Sequence, residues 1–512
     1  MTFPRILYVL FVLLLLGNSH RALAQDSEVT PDTVQEIQSS DEMMEDSEDA
    51  GHEDQESHAD GDHEEGYGGH KKVLPPLWLV IPFILLLLLI ATGPLFYAHH
   101  WHSHYPKYAV ALGLFVTVYY LFVLQDGISM LHALQEYLSF IALVASLFIA
   151  ASGIFLKVNA RGTPLANVSL LSVGAIIANL IATTGAAMLF IRPYMRLNKG
   201  RLKAYHIVFF IFIVANVGGA MTPIGDPPLF LGFLRGVPFF WTAAHLWYIW
   251  APTLLILLAI FYVIDSRNKE KSTTDISSGK TIELQGTRSF IFVAIIIISV
   301  FIDPNVITQL KGTQWDLVGT YHLPFGIREI IMFSMCALAF LYCDKDALKK
   351  NEFTFEPIRE VAWLFLGIFA CMVPALALIS NYAAVNASAL NATTFYWGTG
   401  ILSGFLDNAP TYLNFLAAAM GKFNLDVNVA ADVKEFARKE ALYLSAISIA
   451  AVFFGAMTYI GNAPNFMVKA IAESNNVDVP SFVGYLVKYG LTILLPVYTV
   501  VWLVFYSGWV FQ

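Results

Sequence analysis

The sequence predicts an all-α integral membrane protein of about ten spanning helices plus two re-entrant hairpins, arranged as two inverted-topology repeats with broken helices. Three observations carry this. Hydrophobic residues make up 57% of the 512-residue chain and charged residues only 13%, with a mean hydropathy of +0.60; soluble domains carry about 25% charged residues. Apolar runs comparable to the roughly 20 residues that cross a bilayer as helix recur along the chain. They are continuous rather than alternating, which favours a helical bundle over a closed barrel. Finally, Gly219-Ala220-Met221-Thr222-Pro223-Ile224-Gly225-Asp226-Pro227-Pro228 aligns with Gly455-Ala456-Met457-Thr458-Tyr459-Ile460-Gly461-Asn462-Ala463-Pro464 at a constant offset of 236, with seven of ten positions identical.

The chain opens with Arg5, the apolar run Ile6–Leu16 and Ala22-Leu23-Ala24, the pattern of a secretory signal peptide over residues 1–24. The run is short for a first transmembrane helix. Residues 25–72 hold 17 of the 39 acidic residues, with Lys71 and Lys72 as their only basic ones. Such a segment cannot bury enough apolar surface to fold alone, and is expected to be a disordered periplasmic tail. His52, His58, His63 and His70 are interspersed in it, a weak metal-binding set. His99, His100, His102 and His104 are expected in a short loop, where a metal site is possible and an interfacial loop the simpler reading. The rest of the chain has 28 basic against 22 acidic residues, a mildly basic membrane body. Cys336, Cys343 and Cys371 lie in or beside apolar runs and read as packing residues.

The first membrane repeat, residues 73–264, contains candidate spans at Leu77–Ala98, Tyr108–Leu124, Tyr137–Leu156, Tyr205–Leu234 and His245–Ile264. A double-length run, Leu165–Ile191, precedes the fourth. A polar connector occupies residues 265–287. The second repeat, residues 288–512, follows with Ser289–Ile302, Gly326–Tyr342, Val361–Ser380, a long run at Phe395–Met420, an interrupted run at Ala441–Ala472, and Phe482–Trp509. If both long runs are hairpins that return to their starting side, Lys157, Arg161, Arg192, Arg196, Lys199, Arg201, Lys203, Arg267, Lys269, Lys271, Lys345, Lys349 and Lys350 all fall inside. That is the positive-inside pattern. The loop Gly421–Glu440, with Lys422, Lys434, Arg438 and Lys439, falls outside and conflicts with it. The arrangement puts the tail and Gln512 outside, in a bacterial inner membrane.

Paired Gly/Pro interruptions at matching positions of two inverted halves point to a transporter's binding site. Half-helix N-termini offer amides to anions, and free carbonyls and carboxylates offer oxygens to cations. Two carboxylates stand in this zone, Asp226 in the first break and Asp407 at the second hairpin's turn, beside Asn408 and Thr411. Either could bind Na⁺, carry a proton or cap a half-helix, since an ionisable group at membrane depth is functional by default. Asp407 is favoured for the ion; for Asp226 capping and function weigh equally. Thr183 and Thr184 supply hydroxyls at the first hairpin's turn, expected at Thr183–Ala186, with Asn179 just before it. Asn216, Thr222 and Gly225 belong to the first break, and Thr458, Gly461 and Asn462 to the second. Asp126, Glu329, Arg235 and Lys469 lie near span ends, where snorkelling to the interface is cheap.

The segment Asn216–Pro228 closely resembles the signature of the ion transporter superfamily, which includes arsenite permeases, the melanosomal P protein, NhaD-type sodium/proton antiporters and citrate or dicarboxylate carriers. The resemblance runs from about residue 77 onward. It implies two inverted repeats, each with a re-entrant hairpin and a broken helix, often in homodimers working by an elevator movement. Dicarboxylate carriers have Ser-Asn-Thr at their hairpin tips, absent here. Arsenite permeases and the P protein have Asn-Asp in the first hairpin, where this chain has Thr184-Gly185. Asp407-Asn408 looks like the Asp-Asn element of the sodium/proton antiporters. The expected function is therefore secondary ion transport, first as sodium/proton antiport and alternatively as proton- or sodium-coupled uptake of citrate or a related carboxylate. The expected partners are Na⁺ and H⁺ or a small carboxylate anion, the lipid bilayer and a second copy of the chain, not nucleic acid. No cofactor is expected, and no catalytic triad, His-Glu-x-x-His or P-loop suggests an enzyme.

Overall fold

The computed structural model describes residues 74–274, 282–304 and 306–508. The expected signal peptide, the acidic tail with its four His and Gln512 lie outside the described residues.

The chain is a multi-pass, all-α membrane protein. Among the described residues eight helices are long and apolar enough to cross a membrane, or nine if the bent pair Ala430–Lys439 and Ala441–Met457 is one span. The first half comprises α1 (Ile81–Phe96), α2 (Ala98–Tyr119), α3 (Gly127–Ser152), α4 (Pro164–Leu197), α5 (Ala204–Ile213), α6 (Pro227–Arg235) and α7 (Trp241–Ser266). The second comprises α8 (Ser289–Ser299), α9 (Ile327–Tyr342), α10 (Glu356–Val385), α11 (Ala392–Phe405), α12 (Asn408–Lys422), α13 (Ala430–Lys439), α14 (Ala441–Phe454), α15 (Ala463–Ser474) and α16 (Leu495–Phe505). Three expected spans fall outside the eight: helices α8 and α9 have only 11 and 16 residues, and the run from Ala441 is broken. Helix α4 is counted among the eight although it is a hairpin.

Several boundaries differ from the hydropathy reading, each for a local reason. Helix α2 starts at Ala98, so the four His expected in a loop are helical. His100 and His104 stack at 4.3 Å, and no group of three or more His, Cys, Asp or Glu suited to a metal occurs among the described residues. Helix α3 starts ten residues early because Asp126 caps it, accepting from the Ser129 amide at 3.0 Å. Its polar first turns hid it from a hydropathy reading: Glu136 is neutralised there by Arg235 of α6, Nε to Oε1 2.6 Å. Asp126 is thus a cap at a helix end. Glu329 and Arg235 do not snorkel. Glu329 is 3% exposed and accepts from Ser139 (2.7 Å) and Arg328 (2.7 Å). Lys469 does reach a partner in its own helix, Glu473, at 2.6 Å.

The connector is not wholly irregular. Ile282–Gln285 forms a strand, β2, antiparallel to β1 (Phe155–Val158), with Lys157 on Glu283 at 3.3 Å. Asn159 and Lys157 hold the Glu283 carboxyl below the usual range. Four residues of alternation are too few to register against the polar background.

The two halves run in opposite directions. Tyr137, Phe140 and Phe148 of α3 face Phe369, Phe365 and Phe353 of and before α10, with ring centroids at 6.2, 4.5 and 5.8 Å. The register ascends in one chain segment and descends in the other, so the third helix of each repeat is antiparallel to its counterpart. Helices α1, α2, α3, α8, α9 and α10 pack on one another as a first block. The hairpins and broken helices, with α7 and α16, form a second, which meets the first chiefly through α3 on α4 and α10 on α12.

Candidate functional site

Helix α4 folds back on itself. Asn167 and Asn198 exchange side-chain hydrogen bonds at 2.9 and 2.7 Å although 31 residues separate them. The reversal lies at Ile181 (φ −120°, ψ 20°) and Ala182 (φ 62°, ψ 158°), just before the turn expected at Thr183–Ala186. Ala182 occupies a backbone region almost reserved for glycine, which costs roughly 1–3 kcal/mol. The second hairpin, α11 and α12, reverses at Leu406–Asp407. Its ends meet again at Tyr443, which packs against both Phe395 (5.7 Å) and Phe423 (5.2 Å).

Each hairpin tip docks on the broken helix of its own repeat in the same way. The Thr222 hydroxyl donates to the Asn179 carbonyl (2.6 Å), and the Thr458 hydroxyl to the Gly404 carbonyl (2.7 Å). Each hydroxyl also accepts from the amide three residues on, that of Gly225 (3.1 Å) or Gly461 (3.2 Å). Both of these glycines lie where a Cβ would collide with backbone. At Gly225 it would sit 2.1 Å from the Gly219 carbonyl oxygen, and at Gly461 2.6 Å from that of Gly455. Asn179 reinforces the first dock, donating to the Gly218 carbonyl at 2.7 Å and accepting from the Met221 amide at 2.9 Å.

Four residues beyond the docked carbonyls, the two hairpins present Thr183 and Asn408. Both reach Asp226: the Thr183 hydroxyl donates to Oδ1 at 2.8 Å and the Asn408 amide to Oδ2 at 2.7 Å. Asn462 adds a third bond, to Oδ1 at 2.9 Å. Asp226 is 1% exposed, and among the described residues it makes no ion pair. A buried carboxylate costs several kcal/mol in lost hydration. Hydrogen bonds to a charged group return about 1.5–3 kcal/mol each.

The electrostatics come from the backbone. Thr183 opens the second arm of α4, Asn408 opens α12, and Asp226 and Asn462 are the N-cap residues of α6 and α15, each followed by Pro in its first two positions. Four helix N-termini therefore meet around one carboxylate, each carrying the positive end of a helix dipole. Two further amides knit the crossing. Asn216 donates to Asn465 Oδ1 (2.7 Å) and accepts from Asn462 (3.2 Å), while Asn465 donates to the Gly455 and Thr458 carbonyls at 2.8 and 2.9 Å.

The structure thus gathers Asp226, Asn408, Thr183, Asn462 and Asn216 in one hydrogen-bonded cluster, with Thr222, Gly225, Thr458 and Gly461 as its backbone frame. Thr184 lines a small, mostly apolar cavity beside Asp226, walled by Phe140, Leu143 and Leu147 of α3. Asp407 is not bonded to the cluster: its Oδ1 accepts from the Ala409 amide at 3.0 Å, capping α12. Thr411 donates to the Asp407 carbonyl within that helix at 2.8 Å. Asn465 was missed by sequence reasoning. Its signal was an Asn-x-x-Asn spacing after the second break, which places Asn462 and Asn465 on one helix face.

Residues 71–506 match the family model described as "Putative citrate transport". The chain belongs to that family. Comparison with curated proteins gives no match. Membership makes the chain a membrane transporter and bears out the expectation of secondary transport at that level; the family's description sits with a carboxylate cargo rather than with sodium/proton antiport.

Proposed function

We propose that this protein is a cation-coupled carrier of a small carboxylate anion of the citrate class, working by alternating access around Asp226. The observation that carries this reading is the meeting of four helix N-termini at one buried carboxylate that has no cationic partner among the described residues. Half-helix N-termini aimed at a central site bind the anionic groups of a substrate. A polyvalent anion beside Asp226 would face like-charge repulsion that the dipoles alone do not offset. A coupling cation, H⁺ or Na⁺, held by the Asp226 oxygens removes that repulsion, so anion and cation bind together. The two packed blocks supply the moving parts: the block holding hairpins and broken helices slides against α3 and α10. A homodimer in a bacterial inner membrane, with residues 25–72 in the periplasm, completes the proposal.

The test is uptake of radiolabelled citrate into proteoliposomes under an imposed pH or Na⁺ gradient, with proton movement followed by an internal dye. Citrate accumulation that needs one of the two gradients supports the reading. Proton movement driven by Na⁺ alone, with no citrate uptake, replaces it with sodium/proton antiport.

A further inference from the structure

Away from the Asp226 cluster, the turn that follows the first hairpin lines a cleft of about 930 Å³, near the upper end of the size range of small-molecule sites. Arg192, Arg196, Lys199, Lys203, Lys350 and Lys488 line it, against only two acids, Glu352 and Asp478. These cations come from chain segments as much as 296 positions apart (Arg192 and Lys488), so the fold, not a local basic run, concentrates them. One acid is already engaged: Arg192 Nη2 binds Glu352 at 3.0 Å. The Nε and Nη1 of Arg192 are buried and have no acceptor among the described residues, leaving a guanidinium with most of its donors unspent. Arg196 and Lys350 both lie over the ring of Phe155, at 4.9 and 5.2 Å from its centroid. Lys203 holds Glu270 at 2.6 Å. Lys199 and Lys488 make no ion pair among the described residues.

Like charges gathered in a concave surface repel one another and focus a positive field into the space they enclose. A monovalent ion offsets too little of that repulsion. A small oxyanion with several charges fits both the field and the forked geometry of two arginines. We propose that this cleft is a second anion site, specific for polyvalent oxyanions, whether a free polycarboxylate or polyphosphate or a phosphate-bearing lipid headgroup. It shares no lining residue with the cavity at Asp226, so it stands whether or not citrate is the transported substrate.

The experiment uses full-length protein in nanodiscs of zwitterionic lipid, titrated calorimetrically at low salt with citrate and, separately, inorganic pyrophosphate. The expected result is binding of both, with citrate read in the Asp226→Asn background so that the transport site does not contribute, and both weakened at least tenfold by Lys199→Gln with Lys488→Gln. The charge-matched pair Lys434→Gln with Arg438→Gln should leave affinity within twofold, and Asp226→Asn should leave pyrophosphate binding intact. Equal loss in both pairs, or none in the cleft pair, overturns the site. A parallel arm omits soluble anions and adds phosphatidylglycerol to the nanodiscs. Thermal stabilisation there that needs Lys199 and Lys488, without binding of either soluble probe, supports the site and assigns its ligand to a headgroup. Absence of any response in both arms overturns it.

Discussion

Asn462 donates a 2.9 Å hydrogen bond to Asp226, and the two residues stand 236 positions apart, the offset that superposes one repeat on the other. The two repeats therefore touch at equivalent points, with an acid on one side of the pseudo-axis and its amide isostere on the other. An acid on both sides would set two carboxylates in contact. An amide on both would remove the charge. The observed pairing keeps one negative charge at the crossing and supplies a donor to hold it.

The first prediction separates the two candidate acids. Asp226→Asn replaces an acceptor-only group by one whose NH₂ meets the donors of Thr183, Asn408 or Asn462, and it removes the charge. Folded protein is expected to retain less than a tenth of wild-type transport, with a stability loss of about 1–3 kcal/mol for the unpaired donor. Asp407→Asn keeps a good N-cap and is expected to retain at least half of wild-type transport in the same proteoliposome assay. The reverse ranking would return the coupling role to Asp407.

How much of this was readable beforehand follows from the kind of signal each feature leaves. The paired breaks were legible because Gly, Pro and Thr must recur wherever backbone is exposed at membrane depth, and the offset of 236 exposed them. The convergence on Asp226 was not, because Thr183 and Asn408 are unlike residues doing equivalent jobs at different offsets from their breaks. Asp407 drew attention as the acid at a turn, but a turn acid and a helix cap look alike in sequence. The early start of α3 was hidden by Glu136, whose partner Arg235 is 99 residues away.

The second prediction concerns the backbone frame. A Cβ at Gly225 or Gly461 meets a carbonyl oxygen of the partner glycine, not the end of a flexible side chain. Overpacking against fixed backbone costs about 1–3 kcal/mol and occasionally more, and here it also pushes the helix N-terminus off the cluster. Gly225→Ala and Gly461→Ala are each expected to lower the melting temperature in detergent and to abolish transport. Gly484→Ala, whose nearest contact is the Ser481 hydroxyl at 3.1 Å, should be neutral. Wild-type transport in Gly225→Ala would mean that the tight crossing is dispensable.

A third prediction tests the tie between the blocks. Glu136 lies on α3 and Arg235 at the end of α6, and they pair through two contacts, 2.6 and 2.9 Å, with side chains 15% and 9% exposed. Glu136→Ala leaves a buried guanidinium unpaired, a loss of about 3–5 kcal/mol. Replacing both, as Glu136→Leu with Arg235→Met, is expected to recover most of that stability. If the blocks slide during transport, this pair must break, so the double variant should also change the turnover rate. Additive losses from the two single changes in a double-mutant cycle would show that the pair is not coupled.

The last prediction fixes sidedness. The connector is held against the basic turn that follows the first hairpin: the Thr273 amide donates to the Lys199 carbonyl at 2.8 Å and the Thr274 hydroxyl to that of Arg196 at 2.7 Å. Strand β2, at the connector's far end, pairs with β1 beside Lys157. The described ends of the connector, the basic turn and the β clip therefore share one face, which the positive-inside pattern predicts to be cytoplasmic. With Cys336, Cys343 and Cys371 replaced by Ser or Ala, single cysteines are introduced at positions 60 and 275. A membrane-impermeant maleimide applied to spheroplasts is expected to label position 60, and to reach position 275 only after the membrane is opened. The opposite pattern inverts the whole molecule in the membrane and moves the basic cleft to the outer face. Labelling of both positions from one side would contradict an odd number of crossings between them.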